Sequence, residues 1–154
     1  MSSGAQALPE GLVEDLERPE AYPDDASAAD GVETIQTHIS HLFLTRDRVV
    51  KLRKARQLAF LDFSQAHERR EDCHREVVLN RRLAPDVYLG VAPVEREGGH
   101  FVVRDRWEAE PSNGKADAAD VTAERVVVMR RLEPGGDALT LIERGKLAPA
   151  HIDA

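Results

Sequence analysis

The chain has 154 residues, 42% of them apolar and 32% charged, with a formal charge of −7 and a pI near 5.4. That length can bury the core of one ordinary domain without cross-links. The acidic balance excludes a nucleic-acid binder driven by phosphate neutralisation, which carries a basic face, and leaves small molecules or proteins as partners.

A single cysteine, Cys73, excludes an intramolecular disulfide, and no Cys/His spacing matches a structural zinc site, so a reducing cytoplasm is expected. The N-terminal stretch lacks the basic start and apolar core of a signal peptide. No segment approaches the roughly 20 apolar residues of a membrane span, so neither membrane nor nucleic acid is an expected partner.

In chain order, residues 1–9 are small and polar and are expected to be mobile. Pro9 to Arg18 places Leu12, Val13 and Leu16 at helical spacing, and Ala21-Tyr22-Pro23-Asp24-Asp25 breaks that helix, so 10–31 reads as a short helix and linker, with a loop at Ala26 to Asp30. Val32 to Ile39 alternates and makes a first strand. Leu42-Phe43-Leu44 and Val49-Val50 flank the turn Thr45-Arg46-Asp47-Arg48, which predicts a hairpin and completes an antiparallel meander of three strands.

Lys51 lies in the third strand. Alternation puts it on one face with Val49 and Arg53, and puts Val50, Leu52 and Lys54 on the other. Asp62 or Ser64 is the expected N-cap of a helix from about Gln65 to Leu83, stopped by Pro85. Ala66, Cys73, Val77, Asn80 and Ala84 form its inward stripe, Glu76 borders that stripe, and the dense Glu/Arg content marks the outer face.

Val87 to Val94 and His100 to Trp107 read as strands about a Gly98-Gly99 turn, followed by an exposed loop over Glu108 to Asp120. Ala123 to Arg131 is the most buried strand, its Val126-Val127-Val128-Met129 run implying cover on both faces. Asp137 caps a last short helix containing Leu139, Leu141, Ile142 and Leu147, and a new pattern starts at Ala150. The expected class is α+β: an antiparallel sheet of about five strands with one main helix packed on it and a short C-terminal helix.

The runs THISHLFLTRDRVVKLRKA, FLDFS, REVVLNRRLAPDVYLGVAPV and VVVMRRL closely resemble the aminoglycoside phosphotransferase-like proteins, whose kinase-like half is often followed by a P-loop ATPase half. The resemblance covers roughly residues 10–154 and implies a kinase-like N-terminal lobe over 32–132, with 133–154 as a helix after the hinge and the start of a C-terminal lobe. It implies that Lys51 contacts the α- and β-phosphates of ATP and that Glu76 holds that lysine in place. Met129, Arg130, Arg131 and Leu132 correspond to the hinge that binds the adenine edge. Thr37 to His41 occupies the place of the loop over the phosphates, but it contains no glycine.

The implied cofactor is ATP, with magnesium once a C-terminal lobe is supplied. The catalytic Asp and the magnesium ligands of that lobe have no counterpart here. His151-Ile152-Asp153 lacks a following metal-binding Asn, and no G-x-x-x-x-G-K-[ST] stretch occurs, so the chain alone is expected to be inactive.

Without the resemblance, Lys51 reads as a solvated edge lysine and Glu76 as a surface carboxylate paired with Arg75 or Arg69. Arg53 and Lys54 read as solvated, or as the phosphate cation if the register slips by one. The remaining singular residues read as structural: Cys73 as a small core residue, Trp107 as packing, and Glu68 to Arg75 as a solvated face. A His38/His41 metal pair is disfavoured in an extended segment. A second class of function is a non-catalytic interaction module, in which the Val126 to Met129 strand and the last helix expose apolar surface to a protein partner or to a second copy.

Overall fold

The computed structural model describes residues 7–57, 62–109 and 121–131. Six strands form one antiparallel sheet in the order β1-β2-β3-β6-β4-β5: β1 Glu33–Gln36, β2 Ser40–Leu44, β3 Arg48–Arg53, β4 Tyr88–Glu97, β5 His100–Val103 and β6 Val121–Arg130. The expected count of about five is thus corrected to six. The strand expected over His100 to Trp107 is shorter, β5 at His100–Val103, and forms the sheet edge after the Gly98-Gly99 turn, while β6 inserts between β3 and β4. The short C-terminal helix expected after Asp137, with Leu132 and the rest of 133–154, lies outside the described residues, as do residues 110–120 of the expected loop.

The main helix, α2, spans Ala66–Arg81 and packs on one face of the sheet. Leu42, Leu44, Val49, Val127 and Met129 meet Cys73 and Val77 there. Neither expected N-cap caps it. Asp62 Oδ1 accepts from the backbone N–H and hydroxyl of its neighbour Ser64, and the cap position is Gln65, which makes no side-chain capping bond.

The opposite face is covered by residues that read as helix and linker. Helix α1, Leu12–Leu16, and two short 3₁₀ helices at Pro19–Ala21 and Ala26–Asp30, the second where a loop was expected, put Leu12, Leu16, Ala21, Tyr22 and Ala28 against Phe43, Val50, Leu52, Val126 and Val128. Asp25 and Asp15 are among the side chains that fasten this segment. Asp25 accepts from the Ser27 hydroxyl at 2.7 Å and the Thr45 hydroxyl at 2.7 Å, reaching the β2–β3 turn, and Asp15 accepts from the Phe101 N–H at 2.9 Å on edge strand β5.

With cover on both sides, the Val126 to Met129 run of β6 is buried throughout, as four successive apolar residues require. Among the described residues no helix is long and apolar enough to cross a membrane.

Candidate functional site

Strand alternation sends Lys51 and Arg53 from β3 to the α2 face, where Glu76 lies nearly three turns into the helix. The Lys51 ammonium lies 3.2 Å from Glu76 Oε1 and 3.3 Å from Oε2. The Glu76 carboxylate also takes Arg53 Nη2 and, at 3.4 Å, the Tyr88 hydroxyl of β4. Glu76 therefore pairs from the helix with Lys51 and Arg53 of β3, and not with Arg75 or Arg69, which bond Asp72 and Glu124 instead.

Arg53, expected to be solvated, is 3% exposed. Its Nε bonds Asp72 Oδ2 at 2.7 Å, its Nη1 points to Cys73 Sγ at 3.3 Å, and its guanidinium sits 5.9 Å over the Phe63 ring. The expectation fails because α2 presents Asp72, Cys73 and Glu76 on the side that meets β3, so the strand's second inward cation finds partners and no water.

Burial drives the Glu76 carboxyl up, but Lys51 and Arg53 more than offset it and hold it down at about 2. Burial pushes the Cys73 thiol up to about 11 despite the nearby Arg53, so at neutral pH it is an unreactive core group. The same carboxylate, after burial, raises the Tyr88 phenol, which stays a neutral donor. Lysine offers three donors and Glu76 two acceptor oxygens, which leaves Lys51 capacity for a further anion.

The other positions of interest are not gathered here in the same way. Met129 is buried on the α2 face, between Val49 and Tyr88 in register. Arg130 is exposed, and its backbone N–H bonds the Val87 carbonyl at 2.7 Å; the Arg131 N–H bonds the Asp47 carbonyl at 2.8 Å, and its side chain holds the Thr45 carbonyl and Glu33. Of the hinge expected over Met129 to Leu132, the N–H groups of Arg130 and Arg131 are thus occupied. In the Thr37 to His41 turn the Thr37 hydroxyl accepts from the N–H groups of Ile39 at 3.3 Å and Ser40 at 3.0 Å, which removes two donors from the place of a phosphate loop. His41 stacks on Phe43 on the far side of the sheet, and no group of three metal-ligating side chains occurs among the described residues.

Sequence reasoning missed a second ionic cluster beneath α2. Arg69, 1% exposed, forms a two-pronged pair with Glu124 at 2.7 and 3.1 Å and donates to the Phe63 carbonyl. Glu108 accepts from Arg125 at 2.7 Å and bonds buried His74 at 2.8 Å. The face read as solvated therefore holds Arg69, Arg70 and His74 inside. The one local signal was their spacing, since 69, 73 and 77 recur every four residues with 70 and 74 beside them.

No family model matches this chain, and no solved structure matches it. Over 123 residues, 80% of its length, it is 31% identical to uncharacterized proteins of Mycobacterium tuberculosis and Mycobacterium bovis. The chain spans 20% of the length of these relatives.

Proposed function

We propose that this chain provides the phosphate-holding part of an ATP site, as the N-terminal lobe of an aminoglycoside phosphotransferase-like, kinase-like protein of the cytoplasm. The observation that carries the reading is the ion pair between Lys51 on the third strand and Glu76 on the one main helix, 3.2 Å apart. Phosphoryl transfer needs a fixed cation at the nucleotide phosphates and an anion to fix it, and this pair has that form. The chain order supports it too, with α2 between β3 and β4, and β6 beside β3. Magnesium would be bound with the nucleotide by groups other than Lys51 and Glu76, and the transfer step is assigned to none of the residues described here.

The occupied N–H groups of Arg130 and Arg131 move adenine recognition away from them, so the affinity expected of this chain comes mainly from phosphate. The competing reading, an interaction module, asks for apolar surface at the Val126 to Met129 strand and at the last helix; the strand is buried, and that helix lies outside the described residues.

The test is a titration with ATP and magnesium of this chain alone and of the chain supplemented with the segments that flank the corresponding region in the mycobacterial relatives. A saturable signal lost in Lys51→Met is expected. A signal indifferent to Lys51→Met, or none in either preparation, overturns the reading.

A further inference from the structure

Arg53 and Lys51 share one carboxylate but do not hold it equally. The Lys51 side chain is 19% exposed and that of Arg53 is 4% exposed. Lys51 pairs with Glu76 alone among the described residues, whereas Arg53 spans a full turn of α2, bonding Asp72 through Nε and Glu76 through Nη2, with Cys73 between them. A planar fork suits two acceptors four residues apart on a helix; an ammonium acts as a point charge. An ion pair partly open to water contributes less than a buried one, and Arg53 holds a second carboxylate besides Glu76.

Arg75 bonds the second oxygen of Asp72 at 2.9 Å, so around this contact three cations face two carboxylates. We infer that Arg53 is the clamp that docks α2 on the sheet and is thereby a positioning residue for Lys51: it carries the docking of Glu76 and leaves the Lys51 ammonium with charge to give to an anion. That the anion is a nucleotide phosphate rests on the reading above. The clamp does not.

Cys73 is the reporter. It is fully buried, it is the one cysteine of the chain, and Arg53 lies against it. A thiol reagent such as 5,5′-dithiobis(2-nitrobenzoate) reaches it when α2 lifts. In Arg53→Gln the labelling rate should rise about 100-fold, the factor that follows from losing two buried charge-assisted hydrogen bonds, to Asp72 and to Glu76. In Lys51→Met it should stay within about fivefold of the parent. Arg53→Lys, which keeps the charge but cannot span both carboxylates, should fall between them, and it preserves the comparison should Arg53→Gln not fold by circular dichroism. The Arg53 cation lowers the thiol pKa, so losing it would by itself slow labelling, and faster labelling therefore reports access.

Positioning, as distinct from support, is read on Lys51 itself. The ¹³Cε resonance of Lys51 in folded Arg53→Lys should move toward its place in Glu76→Gln. Labelling in Lys51→Met as fast as in the Arg53 variants, protection of Cys73 in all of them, or a Lys51 resonance unmoved by Arg53→Lys would each overturn the inference. None of these readouts involves nucleotide, so a failed ATP titration leaves the clamp standing and a failed clamp leaves the ATP reading standing.

Discussion

Glu76 is a carboxylate with its pKa held at about 2 in the fold against 4.5 in an unfolded chain. As pH falls, the unfolded chain takes up the proton first, so the stabilisation is complete above about pH 4.5 and is lost as the pH drops toward 2. The difference corresponds to about 3 kcal/mol. Urea unfolding of parent and Glu76→Gln across that window should show a gap that is full at the upper end and closes toward the lower. A gap independent of pH would mean that Glu76 is not ionised in the fold. At this scale alternation made it legible that Lys51 and Arg53 share a face, but not that Arg53 is buried, because burial depends on what the helix brings to meet it.

Helix α2 shows why its inward face was hard to read. An apolar stripe announces itself by periodicity, but here the stripe is thin, and docking relies on Arg53, Arg69, His74 and Glu76 with partners on β3, β6 and the Glu108 bridge. Charged residues in a sequence look alike whether solvated or paired, so a helix bound by ion pairs reads as an outer face. Strand β4 carries the complementary case. Its register shifts between Tyr88 and Gly90, and a Cβ on Gly90 would meet the Trp107 side chain at 3.1 Å. Gly90 also has φ +153°, where an L side chain is strained, so Gly90→Ala combines backbone strain with a small displacement of the Trp107 side chain, at about 1–3 kcal/mol. Urea midpoints followed by the emission of Trp107, the single tryptophan, should record the loss together with a shift of the spectrum; an unchanged midpoint would show that the indole moves freely.

For the molecule as a whole, the N-terminal segment is the second cover of the sheet. Leu12 and Leu16 are fully buried against it, and the Tyr22 hydroxyl bonds the Leu16 carbonyl. Leu12→Ala and Leu16→Ala should each cost about 2–5 kcal/mol, the range for an emptied leucine site in a packed core. Equilibrium urea unfolding measures this directly, and a cost well below 1 kcal/mol would mean that the segment packs loosely. A deletion of the segment would bare Phe43, Val50, Leu52 and Val128 together, and the expected outcome is association at micromolar concentration, seen as a concentration-dependent sedimentation coefficient.

Local pattern determined the main elements and which residues share a strand face. The alternation of HLFL and RVVKLR, the apolar run VVVM and the helix from Ala66 are consequences of short-range periodicity, and so is the α+β class. Tertiary structure decided the partners. Arg69 and Glu124 stand 55 residues apart, and Lys51 and Glu76 stand 25 apart, among 28 acidic residues any of which could have paired by sequence alone. Charge is not directional along a chain, so only the packing of α2 and the N-terminal segment on opposite faces of one sheet selects which carboxylate each buried cation meets.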